Sequence, residues 1–178
     1  MVATDAALRR RLARVVVAGD SLAACCPFWR LSAWPLATLN LARGGARLAD
    51  VAAQLRAAPR RAALRVVFDG GLNDLLGAQA STASIERDFR EALDALPDPA
   101  RTIFTLMPHV SDKAQSSRID AANAAMAELC RRHCVAVLDL NPIVSFEGAR
   151  RPEMTDDGLH FTRRANALWL EALRPKLR

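Results

Sequence analysis

At 178 residues and 19.4 kDa the chain has the length of about one domain, enough to bury roughly 70% of its unfolded surface and to fold without disulfide or metal staples. Apolar residues make up 51% and charged residues 25%, proportions that exclude a disordered chain. The formal charge is +6, but the arginine doublets Arg60-Arg61, Arg131-Arg132, Arg150-Arg151 and Arg163-Arg164 are scattered and no tyrosine interleaves with them, so the charge reads as solvated helix faces and not as a nucleic-acid surface.

In chain order, residues 1–13 form a basic lead-in to the apolar run 15–18. That run is too short for a signal-peptide core and stops at Gly19-Asp20 without a small-residue cleavage site. Further apolar runs lie at 37–41, 65–68, 102–107 and 135–140. Between them apolar residues recur at helical spacing. The first such set is Leu48, Val51, Ala52 and Leu55; the second is Ile85, Phe89, Ala92, Leu93 and Leu96. The third is Ile119, Ala122, Met126, Leu129 and Cys130, and the last is Leu168, Trp169, Ala172 and Leu173. Pro97 and Pro99 close the second helix, and Pro108 follows the fourth strand. Five strands alternating with helices imply βαβ units, a parallel sheet and a single three-layer α/β/α domain over 1–178.

No stretch of about 18 apolar residues occurs, so no membrane span is expected and a cytoplasmic location is. Cys25, Cys26, Cys130 and Cys134 form no Cys-x-x-Cys pair. Cys130, His133 and Cys134 lack a second pair of ligands, so the thiols are read as reduced and neither a metal nor another cofactor is expected.

In a doubly wound sheet, sites lie beyond the carboxyl ends of the strands. There the chain places Gly19-Asp20-Ser21-Leu22, then Asn40 with Gly44-Gly45, then Gly70-Gly71-Leu72-Asn73-Asp74, then Pro108-His109. Asp156-Asp157-Gly158-Leu159-His160 precedes the last helix. These are the parts of a serine hydrolase: nucleophile, base, orienting carboxylate and oxyanion donors. His160 is the expected base, because Asp157 three residues earlier and the intervening Gly158 permit a turn that sets the carboxylate on the imidazole. Asp156 is the competing carboxylate, read as a solvated neighbour. His133 ends a helix at the opposite edge, and His109 has Asp112 as its possible partner. Ser21 begins a helix after the first strand, where its backbone N–H faces developing negative charge. The esterase elbow G-x-S-x-G is not met, since Ala23 replaces the last glycine. Asn73 offers an amide donor and Gly45 an unobstructed backbone N–H.

These blocks resemble the SGNH, or GDSL-type, hydrolases. The first matches as Gly19-Asp20-Ser21-Leu22 and the second as Asn40-Leu41-Ala42-Arg43-Gly44-Gly45. The third matches as Gly71-Leu72-Asn73-Asp74 and the last as Asp157-Gly158-Leu159-His160. The resemblance implies a flavodoxin-like fold with five parallel strands. It also implies Ser21 as nucleophile, His160 as base, Asp157 as orienter, and an oxyanion hole made by Ser21, Gly45 and Asn73. The departures are Ala23-Ala24 and Cys25-Cys26 after the serine, where Thr and Gly are frequent, and Ala42 in place of a common Gly.

The expected function is hydrolysis of a small-molecule acyl ester, without nucleic acid as partner. Thioesterase, carbohydrate O-deacetylase and non-catalytic binding module are the alternatives. Short acyl groups are expected, because the four blocks and five strand–helix units leave no insertion long enough for a lid. The aromatic segment Phe28, Trp29 and Trp34 is expected to pack in the core, an acyl pocket being its other reading.

Overall fold

Three valines and an alanine leave β1, Val15–Ala18, without a polar side chain on either face, and all four are fully buried. A strand of that kind belongs in the middle of a parallel sheet. In the computed structural model, which describes residues 12–30, 37–61 and 64–177, β1 pairs in parallel with β2 (Thr38–Asn40) on one side and β3 (Arg65–Phe68) on the other. β4 (Thr102–Thr105) and β5 (Ala136–Leu138) continue the sheet in the order β2-β1-β3-β4-β5. All five strands are parallel, and the order reverses between β1 and β3, where such folds form a crevice.

Period-two alternation distributes β1 between two cores. Val16 and Ala18 join Val66, Phe68 and Phe104 under α2 (Leu48–Arg56), α3 (Thr82–Asp94) and α4 (Ser116–Arg132). Val15 and Val17 join Val67, Ile103 and Leu138 against α6 (Arg163–Leu173) and the short α1 (Ser21–Cys25). The layers are therefore α/β/α, as expected. Phe68, Phe89 and Phe104 form the centre of the first core, with ring centroids 4.7–5.9 Å apart. In the second, Trp29 meets Trp169 edge-on at 5.5 Å and donates its indole N–H to Ala23 O. Trp29 is thus a core residue; Trp34 lies outside the described residues.

Three apolar runs overshoot their strands. Beyond β4, the Leu106 N–H still donates to Leu138 O, but the Met107 N–H turns to Asn123 Oδ1. Leu106, Met107 and Leu140 remain buried after the ladder ends, so the apolar pattern there records burial and not pairing. Between β5 and α6 the chain forms α5 (Asn141–Val144) and an antiparallel hairpin, β6 (Ser145–Phe146) with β7 (Ala149–Arg150). Strands of two residues carry no readable period. The hairpin corrects one reading of charge: Arg150 is 3% exposed, on a strand and not on a solvated helix face. Arg131 and Arg132 do sit exposed on α4, both paired with Glu128. Among the described residues no helix is long and apolar enough to cross a membrane.

The Phe89 side chain is fully buried between two other rings. Phe89→Ala is expected to lower unfolding free energy by roughly 3–5 kcal/mol, measured by urea denaturation. A loss below about 1 kcal/mol would mean the aromatic centre does not hold the α3 layer on the sheet.

Candidate active site

The site begins where β1 ends. Gly19 adopts φ +144°, and a Cβ there would stand 1.6 Å from Asp69 Oδ1, so only glycine fits. Asp69, at the carboxyl end of β3, accepts the Asp20 N–H at 2.9 Å. Gln54 of α2 clamps Gly19 from the other side, accepting its N–H at 2.7 Å and donating to its carbonyl at 3.1 Å. The Asp20 carboxylate accepts the Leu22 N–H and so caps α1. The backbone is held on three sides at the point where Ser21 leaves it.

The Ser21 hydroxyl lies 2.9 Å from His160 Nε2. On the far side of the ring, Nδ1 lies 2.5 Å from Asp157 Oδ2. Asp157 Oδ1 accepts the backbone N–H groups of Leu159 and His160 at 2.9 and 2.7 Å, closing a tight turn at Gly158, whose φ is +83°. The imidazole, with the two backbone N–H groups behind it, holds the Asp157 carboxyl well below the usual carboxylate range. An imidazole hydrogen-bonded to a hydroxyl at one nitrogen and to a carboxylate at the other has its tautomer set to take the hydroxyl proton. Asp156 makes no such contact with His160 and is exposed.

The other two edge loops flank this chain. The loop after β2 lies along β1, with the Leu41 N–H on Val17 O and the Arg43 N–H on Gly19 O. Asn40 accepts the Ala42 N–H and donates to Ala23 O, which ties the second block to α1. After β3, Asn73 opens a wide turn, Asn73–Gly77, in which the Ala78 N–H reaches back five residues to Asn73 O. The Asn73 amide donates to Ala46 O at 3.0 Å and so joins that turn to the one carrying Gly45. Gly45 is exposed, and nothing stands within 4 Å of where its Cβ would be. Asp74 caps α2 by accepting the Leu48 N–H.

The remaining histidines lie elsewhere. His109 pairs with Asp120 at 2.7 Å, while Asp112 caps a turn at Ala114. His133 caps α4 and hydrogen-bonds Leu129 O. Among the described residues no group of three or more His, Cys, Asp or Glu is arranged to hold a metal ion. A cleft adjoins the Asp157–Leu159 turn, with Leu76 and Val110 beside Gln79, Ser111, Gln115 and Arg118.

A family model described as GDSL-like Lipase/Acylhydrolase matches residues 17–168. The chain belongs to that family. The family is one of lipases and acylhydrolases. It is 26% identical over 132 residues to an N-acylneuraminate cytidylyltransferase of Streptococcus agalactiae, an alignment covering 72% of this chain and 32% of that protein. The chain therefore spans about a third of the length of the curated relatives it matches. Its fold is that of a GDSL-like lipase from Bacteroides thetaiotaomicron, with TM-score 0.75, 16% identity, and 98% and 94% of the two chains covered. It is also that of a carbohydrate esterase family 3 structure from Talaromyces cellulolyticus, with TM-score 0.70, 17% identity, and 92% and 95% covered.

Asp69 and Gln54 escape the motif reading. Asp69 directly follows β3, where the strand-edge rule that sorts the other polar residues also applies. Gln54 is a buried amide inside the apolar stripe of α2, between Val51 and Leu55. Burial raises both acidic neighbours of the elbow: Asp20 is pushed up to about 6, and Asp69 lies well above its ordinary value, with the Asp20 charge adding to the burial. Asp69 Oδ2 is buried with no hydrogen-bond partner among the described residues. A carboxyl raised by folding binds its proton more tightly in the native state, so stability is highest at acid pH and falls as pH rises. Asp69→Asn removes one titrating group. The variant's stability relative to the parent is expected to increase from about pH 4 to about pH 7 in urea denaturation. A difference that stays constant across that range would show that the pair carries no burial cost of charge.

Proposed function

We propose that this protein is a serine ester hydrolase that cleaves short-chain acyl esters through an acyl-enzyme. The single observation that carries the reading is the hydrogen-bonded series Ser21 Oγ, His160, Asp157, contributed by positions 139 residues apart in the chain. His160 Nε2 takes the Ser21 proton as Oγ attacks the acyl carbon. Negative charge developing on the carbonyl oxygen is met by the Ser21 and Gly45 backbone N–H groups and the Asn73 amide. His160 then returns the proton to the leaving alkoxide. Water, deprotonated in turn by His160, attacks the acyl-enzyme, and His160 returns that proton to Ser21 Oγ as the acid is released. Asp157, held ionised, keeps the Nδ1 proton in place and stabilises the imidazolium formed in each half-reaction.

The preference for short acyl groups rests on the motif blocks and strand–helix units, between which no insertion is long enough for a lid; the cleft beside Asp157 sets Leu76 and Val110 among polar side chains. Its amides, its hydroxyl and Arg118 also favour a hydroxyl-rich alcohol, which makes carbohydrate O-deacetylase the second reading. The fold likeness to a carbohydrate esterase is compatible with it.

Ser21→Ala and His160→Ala are each expected to lower kcat on p-nitrophenyl acetate by at least about 10⁴-fold, and the double variant little further, because the groups act as one unit. Full activity in a folded Ser21→Ala protein would overturn the mechanism. Asn73→Ala is expected to cut kcat by roughly 10²–10³. Unchanged kcat in that variant would reduce Asn73 to a turn residue. Across a p-nitrophenyl ester series, kcat/KM is expected to fall beyond butyrate. A steady climb to decanoate would point to an acyl channel near Phe28.

A further inference from the structure

The His160 turn lies at the surface. The His160 and Asp157 side chains are 41% and 53% exposed, so their own burial does little to fix them. A misplacement of about 1 Å in a reacting group costs on the order of 10²-fold in rate, so the rigidity must come from neighbours. The neighbour best placed to supply it is Arg150 of β7. It is 3% exposed; its Nε and Nη1 are engaged by backbone carbonyls, and its buried Nη2 has no hydrogen-bond partner among the described residues. Its Nε donates to His109 O at 2.7 Å and its Nη1 to Leu159 O at 3.3 Å. Its guanidinium carbon stands 4.5 Å from the centroid of the Phe161 ring. Leu159 and Phe161 are the residues on either side of His160. Arg150 therefore grips both flanks of the imidazole-bearing segment.

The grip is anchored deep in the fold. His109 follows β4, and the Arg150 N–H donates to Val110 O at 3.0 Å. Phe161 packs edge-on against Trp169, whose indole N–H donates to Thr105 Oγ1 in β4 itself. On the Asp157 side the turn is also tethered by the Ser111 N–H on Gly158 O and the Thr155 hydroxyl on Asp157 Oδ1, and on the far side the Asn166 amide donates to Phe161 O. Burial pushes the guanidinium down to about 10, against the pull of the Asp157 charge, so it is a cation at neutral pH.

We propose that Arg150 is a positioning residue for ester hydrolysis: bridging the carbonyls of His109 and Leu159 and facing the Phe161 ring, it holds His160 in line between Asp157 and Ser21. The inference rests on the triad reading above. Arginine is required for its forked donation; lysine keeps the charge but presents one ammonium and cannot reproduce the bridge.

The test compares Arg150→Met and Arg150→Lys with the parent and with Ser21→Ala. The readouts are melting temperature, kcat and KM on p-nitrophenyl acetate, and the downfield proton resonance of the His160 Nδ1–Asp157 hydrogen bond. Folded Arg150→Met is expected to lose roughly 10–100-fold in kcat, with KM changed less than about twofold. Its downfield resonance should broaden through exchange with water. Arg150→Lys is expected to keep a near-parental melting temperature yet lose about tenfold in kcat, and it decides the matter if the methionine variant does not fold. A folded variant with kcat within about twofold of the parent overturns the proposal, as does a kcat loss with the resonance unchanged. An active Ser21→Ala protein would overturn the triad reading and this proposal with it. An inactive Ser21→Ala beside a fully active Arg150→Met overturns this proposal alone.

Discussion

Parallel pairing of β1 between β2 and β3 is the constraint on which the rest of the molecule hangs. Because β1 is buried on both faces, a slip of one residue would exchange its two core faces and carry Gly19 off Asp69. The same ladder aligns three loops. The Leu41 and Arg43 N–H groups continue the ladder past the end of β2, onto Val17 O and Gly19 O. On the β3 side, the Asp69 N–H reaches Ala18 O and the Asp69 carboxylate reaches back to Asp20. Ser21, the Gly45 turn and the Asn73 turn thus share one edge because their strands are neighbours. The Asp157–His160 turn joins them through α6, whose Trp169 packs in the second core and hydrogen-bonds β4.

Carboxylates around the proposed nucleophile occupy opposite environments. Asp20 and Asp69 lie beneath the elbow, where burial raises their affinity for a proton. Asp157 lies at the surface, where an imidazole and two backbone N–H groups stabilise its charge. This division suits the proposed chemistry. Burial beneath the serine disfavours a second charge beside Asp20, while the ionised Asp157 faces the ring that must become cationic. The buried cation Arg150 lies under the same turn and neighbours Asp157, which places a fixed positive charge behind the pair.

Much of this arrangement is legible in the sequence because it is carried by period and punctuation. Five apolar runs, four helical stripes and glycine-marked strand ends suffice for the parallel α/β/α layering. Ser21, Asp157 and His160 can be read from strand-edge position and from a three-residue spacing that lets a carboxylate reach its imidazole. Other features depend on contacts between distant segments. The hairpin β6–β7 has two residues per strand, too few to show alternation. Arg150 reads as one half of a surface doublet, and only its partners His109 O, Leu159 O and the Phe161 ring reveal that it is interior. The pairing of His109 with Asp120 crosses from the end of β4 to α4, a register that spacing along the chain does not specify. The wide turn at Asn73 is set by a five-residue hydrogen bond for which the motif Gly71-Leu72-Asn73-Asp74 carries no local signal.

In the proposed mechanism one hydroxyl, Ser21, is activated by the His160–Asp157 pair and forms the acyl-enzyme. The most direct measurement is treatment of the folded protein with a fluorophosphonate, followed by mass-spectrometric mapping of the adduct. One adduct per chain is expected, on Ser21, and none in His160→Ala over the same interval. An adduct on another residue, or no adduct on a protein shown to be folded, would contradict the mechanism.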